Sequence, residues 1–78
     1  MSNVEKLTNV FTETFGISAE QTIGLEYQGI EAWDSVGHMT LVAAIEDSFD
    51  VMLDTDDIID MSSFEKAQTI LKKYDVEF

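Results

Sequence analysis

The groups with which this chain could do chemistry meet in the stretch "DSVGHM", residues 34 to 39, which holds Asp34, Ser35 and His38. A serine nucleophile needs a base within reach, a third group to orient that base, and an oxyanion hole. His38 is the chain's one histidine and lies three residues after Ser35, a spacing that makes the two neighbours on one helix face. The pattern implies no buried pocket around them. The glycine-flanked turn that presents a hydrolase serine is also missing, because the local order is Trp33-Asp34-Ser35-Val36-Gly37. Hydrolysis by Ser35 is therefore not expected. A second cluster, "DTDDIID" at 54 to 60, gathers Asp54, Asp56, Asp57 and Asp60, oxygen donors that suit a hard cation. An EF-hand loop needs acids at alternate positions, a mid-loop glycine and a closing glutamate. The glycine and the glutamate are absent, so no dedicated metal site is expected. A helix start with its acids near the positive dipole end explains the run.

The chemistry left for Ser35 is to accept a group. With Asp34 as cap and Ser35 in the first turn of a predicted helix, a phosphate bonded to the serine would lie beside unpaired backbone N–H groups. A partner enzyme could bring its own base and metal, so the chain would need no catalytic apparatus. The competing reading is that Asp34 is only a cap, worth on the order of 1 kcal/mol, and Ser35 is incidental. Spacing alone does not choose between them.

Three amphipathic helices position these residues. Val4, Leu7, Phe11 and Phe15 recur at helical steps, with Ser2 and Glu5 as a capping box and Gly16 as a left-handed C-cap. Val36, Met39, Val42, Ile45 and Phe49, widened by Leu41 and Ala43, predict a second helix from about Asp34 to Phe49. Phe64, Ala67, Leu71 and Tyr74 predict the last, opened by Ser62 with Glu65 as another capping box. Asp54 or Thr55 caps a short helical turn through Ile58 and Ile59. No useful segment alternates strictly, so a sheet is not expected. The prediction is an all-α fold, a small four-helix bundle of three main helices and one short one. Residues 17 to 33 form a long loop strapped across it through Ile17, Ile23, Leu25, Tyr27 and Ile30, turning at Gly24 and Gly29.

Composition narrows the function. Seventy-eight residues without repeat or linker predict one domain over 1–78. There is no cysteine, so disulfides and protein thiolates are excluded. Sixteen acids face four lysines for a net charge of -12, and from residue 7 to 65 thirteen acids stand without a lysine or arginine. No basic surface replaces phosphate counterions, which disfavours nucleic acid and anionic membrane; the field steers the chain toward basic protein surfaces. No run resembles a signal peptide or a membrane span, so no membrane insertion and a cytoplasmic monomer are expected.

Trp33-Asp34-Ser35-Val36, followed by "GHMTLVAAIEDSFDVML" and a short acidic helix, resembles an acyl carrier protein. The resemblance covers essentially the whole chain, from first helix and long strap to closing helix. It implies that Ser35 bears 4′-phosphopantetheine, transferred from coenzyme A by a phosphopantetheinyl transferase, with Asp34 and Val36 at the transferase contact. It further implies a partner face of Ala43, Glu46, Asp47, Asp54, Asp56 and Asp57, meeting basic patches on acyl-loading and acyl-processing synthase enzymes. Cargo would ride as a thioester for fatty acid, lipid or polyketide-type synthesis, and the chain itself would not be an enzyme. The same arm on a peptidyl or aminoacyl carrier, or an unmodified acidic interaction module, are the alternatives.

Gly37, His38 and Thr40 stand where carriers of ordinary fatty acid synthesis usually have acidic or polar residues, which implies a specialised stand-alone carrier. His38 is expected in solvent, where it could hydrogen-bond a phosphodiester. Trp33 is expected to anchor the strap to the second helix. The small residues Ala43, Ala44 and Ala67 suggest a seam between the second and last helices that shelters an acyl chain.

Overall fold

Side-chain caps set where three of the four helices begin; the short one starts after Asp54, whose side chain makes no cap bond, contrary to the expectation. In the computed structural model, which describes residues 2–78, the order is α1 (Asn3–Phe15), a 3-10 turn (Ala19–Thr22), α2 (Ser35–Phe49), α3 (Thr55–Asp60) and α4 (Phe64–Lys72). These four helices make the described chain a small all-α bundle; no strand is present among the described residues, only one antiparallel bridge between Glu26 and Ser63. Ser2 Oγ accepts the Glu5 N–H at 3.2 Å to open α1, and Gly16 closes it in the left-handed region at φ +65°. For α4 the cap falls one residue later than predicted. Ser63 Oγ takes the Lys66 N–H at 2.9 Å, while the Ser62 carbonyl accepts from the Tyr27 N–H at 2.8 Å. Ser62 is thus committed to the strap, and capping passes to its neighbour.

The core sits between α1, α2 and α4, with Leu7, Phe11, Leu41, Ile45, Ala67 and Leu71 fully enclosed. Trp33 joins them from the end of the strap at 0 % exposure, stacked on Phe15 (5.5 Å between ring centroids) and edge-on to Phe11 (5.4 Å). The strap is pinned by a hydrogen bond from the Phe64 N–H to the Leu25 carbonyl at 2.9 Å. Leu25 is buried and Ile17 and Ile30 pack on the core, but Ile23 and Tyr27 remain exposed. Gly24 supplies a left-handed turn at φ +71°. Gly29 does not; Gln28 takes that conformation, at φ +64°. At Gly29 a Cβ would stand 2.8 Å from the Glu26 carbonyl oxygen, which its own N–H contacts at 2.8 Å.

The apolar stripe predicted for α2 is only half inward. Leu41, Val42 and Ile45 are buried, whereas Val36 is 74 % and Met39 55 % exposed. At about 100° per residue, Val36, Met39 and Ala43 share the arc opposite Leu41 and Ile45. The helix therefore carries one apolar face into the core and leaves a second, shorter one outside.

Candidate functional site

The site is the start of α2. Asp34 is extended backbone (φ -104°, ψ -169°), and its Oδ1 accepts the Gly37 N–H at 2.8 Å while its carbonyl accepts the His38 N–H at 2.7 Å. This places Asp34 as the cap and Ser35 as the first helical residue, with an exposed side chain. Helix geometry leaves the first-turn N–H groups without intrahelical acceptors and puts the positive end of the dipole there.

Gly37 is the close approach that builds this corner. An added Cβ would stand 2.0 Å from the Ala32 carbonyl oxygen, far inside contact distance. The last strap turn, closed by the Trp33 N–H on the Ile30 carbonyl at 3.2 Å, thus lies directly on the first turn of α2. Ser35, two residues before Gly37, faces the other side of the helix and stays open.

His38 is not a solvated residue. The Trp33 indole N–H donates to His38 Nδ1 at 2.9 Å, and His38 Nε2 lies 2.7 Å from the Ile58 carbonyl oxygen in α3. An indole nitrogen only donates and a carbonyl only accepts. The ring is therefore neutral, with its proton on Nε2 and given to Ile58. It stacks on Trp33 at 6.1 Å and meets Tyr27 edge-on at 5.5 Å. Both ring nitrogens are occupied, so neither offers a lone pair to the Ser35 hydroxyl.

The residues expected at a partner face divide into two sets. Ala43, Asp47, Asp54 and Asp56 are exposed, continuing the outer side of α2 toward α3. Glu46 is half-buried and its Oε2 accepts the Leu53 N–H at 2.9 Å, holding the loop between α2 and α3. Asp57 is 5 % exposed; it pairs with Lys73 Nζ through Oδ1 and accepts from the Tyr74 hydroxyl at 2.5 Å through Oδ2. Hydrogen bonds from Lys73 first, and from Tyr74, hold the Asp57 carboxyl below the usual carboxylate range. The same bonds push Lys73 and Tyr74 up. Asp57 is turned inward, away from the surface the other acids share.

Comparison with known protein families, curated proteins and solved structures finds no match. Sequence reasoning did not find the surface hollow of about 250 Å³ beside α2, lined by Tyr27, His38, Ile59, Met61 and Ser62. Its residues come from three separate segments and carry no common spacing. The three alanines do not form a seam, since Ala43 is exposed and Ala67 lies fully in the core. Among the described residues no group of three or more His, Cys, Asp or Glu is arranged to hold a metal ion, and no helix is long and apolar enough to cross a membrane.

Proposed function

We propose that the protein is an acyl carrier whose Ser35 accepts a 4′-phosphopantetheine arm from coenzyme A. The observation that carries the reading is the exposed Ser35 hydroxyl at the first position of a fifteen-residue helix, capped by Asp34 and clear of the strap. In the transfer the serine oxygen would form the new bond to phosphorus, the coenzyme's pyrophosphate bond would break with release of adenosine 3′,5′-bisphosphate, and the hydroxyl proton would leave to a base on the transferase. The chain supplies no such base, because His38 is engaged on both nitrogens. The residues fit the group. The phosphodiester would sit at the positive helix end, and the hollow one turn away is lined by Tyr27 and Ser62 beside apolar Ile59 and Met61. When bound, the arm supplies a thiol that holds acyl groups as thioesters.

The exposed Val36, Met39 and Ala43, with Asp47, Asp54 and Asp56 beyond them, suit a partner whose apolar contact is rimmed by basic residues. Partners in this reading are the transferase and the enzymes that load and process the cargo. Intact-mass measurement after incubation with coenzyme A, magnesium and a broad-specificity transferase tests it. The expected result is the addition of one phosphopantetheine to the native chain and none to Ser35→Ala. An unmodified native chain would overturn the carrier reading and leave an acidic interaction module.

A further inference from the structure

We infer that His38 is a cross-brace that shuts the seam between α2 and α3, so that cargo borne through Ser35 stays at the surface and does not enter the core. The inference rests on the carrier reading above. Ser35 and His38 are neighbours one turn apart, and His38 lies on the core side of that pair, over Trp33. A chain entering from Ser35 between α2 and α3 meets the imidazole ring, then the enclosed indole behind it. Displacing the ring leaves the Trp33 N–H and the Ile58 carbonyl without partners in an apolar setting, which is costly.

The element on the far side of the seam cannot drift open freely. α3 has six residues, too few to be stable by itself. Its place is set by pins. The Asp54 N–H donates to the Tyr74 hydroxyl at 3.0 Å, Asp57 pairs with Lys73 and Tyr74, and Ile58 is tied to His38. Two pins hold α3 to the end of α4; the third holds it to α2 beside Ser35. What remains for cargo is the hollow outside the brace, about 250 Å³. The larger depression, about 490 Å³, is lined by Lys72 and residues 75 to 78, none of them on α2 or α3.

The test compares chains loaded on Ser35 with acetyl- and octanoyl-phosphopantetheine, reading hydroxylamine cleavage of the thioester and amide NMR shifts. In the native chain both thioesters should be cleaved at the same rate, with the Leu41 and Ile45 amides and the Trp33 indole signal unmoved. Severalfold slower cleavage of the octanoyl form, with shifts at those core positions, would overturn the brace. In His38→Ala the seam should open at least about fivefold more often, the factor expected for loss of the one bond that crosses it, to Ile58, making the octanoyl thioester the slower. His38→Gln, which keeps a donor and an acceptor, should restore part of the native behaviour. A native chain that takes no arm is seen by mass before any cargo is compared; it overturns the carrier reading and the surface placement of cargo together. Hydrogen exchange on the unmodified chain then judges the brace itself. Faster exchange at the Ile58 and Met61 amides in His38→Ala, with α1 unchanged, upholds it; equal exchange refutes it.

Discussion

Gly37 shows how one contact reverses the sign of a substitution. By helix propensity alone, Gly37→Ala should stabilise the chain by up to about 1 kcal/mol. The Ala32 carbonyl oxygen, 2.0 Å from where the new Cβ must go, opposes this. It is backbone, held in a turn, and cannot swing aside like the tip of a flexible side chain. The expected outcome is destabilisation of about 1–3 kcal/mol, the usual cost of overpacking, read as a lower urea midpoint at unchanged slope. A raised midpoint would mean that the strap does not lie on α2. Asp34 and Ser35 were legible in the sequence because capping is local, settled within three residues. Gly37 and His38 were not. Their partners, the Ala32 and Ile58 carbonyls, are placed by the path of the strap and by the packing of α3, twenty residues away in the second case.

At the scale of elements, the helices were legible wherever a periodic stripe met a polar cap, and the ends moved only where a cap residue had a second duty. Ser62 is the example, its carbonyl taken by Tyr27. Asp57 was illegible for a similar reason. Within "DTDDIID" it looks like its neighbours, and only the arrival of Lys73 and Tyr74 from beyond α4 singles it out. That network predicts how the hold on α3 depends on pH. Asp57 is lowered in the folded chain, so its contribution is complete above the ordinary carboxylate value of about 3.9 and is lost as pH falls through the lowered value. Lys73 and Tyr74 are raised, so theirs is complete below about 10 and is lost as pH rises through the raised values. Asp57→Asn should therefore melt below the native chain across the neutral range, with the gap closing at both extremes. A gap that persisted unchanged into strong acid would show that the carboxylate charge does not hold α3.

At the scale of the whole molecule, the balance of charge sets a further expectation. Four lysines face sixteen acids, and one of them, Lys73, is paired with Asp57. Folding gathers a net charge of -12 into a small volume, and the self-repulsion opposes the compact state. Salt shortens the Debye length from about 30 Å at 0.01 M to about 8 Å at 0.15 M, which relieves repulsion between exposed acids across the surface. The Asp57–Lys73 pair joins a nearly buried carboxylate to an ammonium that is 60 % exposed, so salt weakens it too, but one pair cannot outweigh the surplus. Sodium chloride over that range should raise the melting temperature; each 1 kcal/mol of relief corresponds to about 4–8 °C in a domain of this size. Magnesium chloride at equal ionic strength separates screening from binding. A match with sodium means screening alone, and a larger rise means that divalent ions bind the acids. Under the carrier proposal the same charge gives the opposite slope for association, since a basic partner is held less tightly as salt increases. Stability that rises with salt while partner affinity falls is the joint signature of an acidic docking surface, and a melting temperature that fell with added sodium chloride would contradict it.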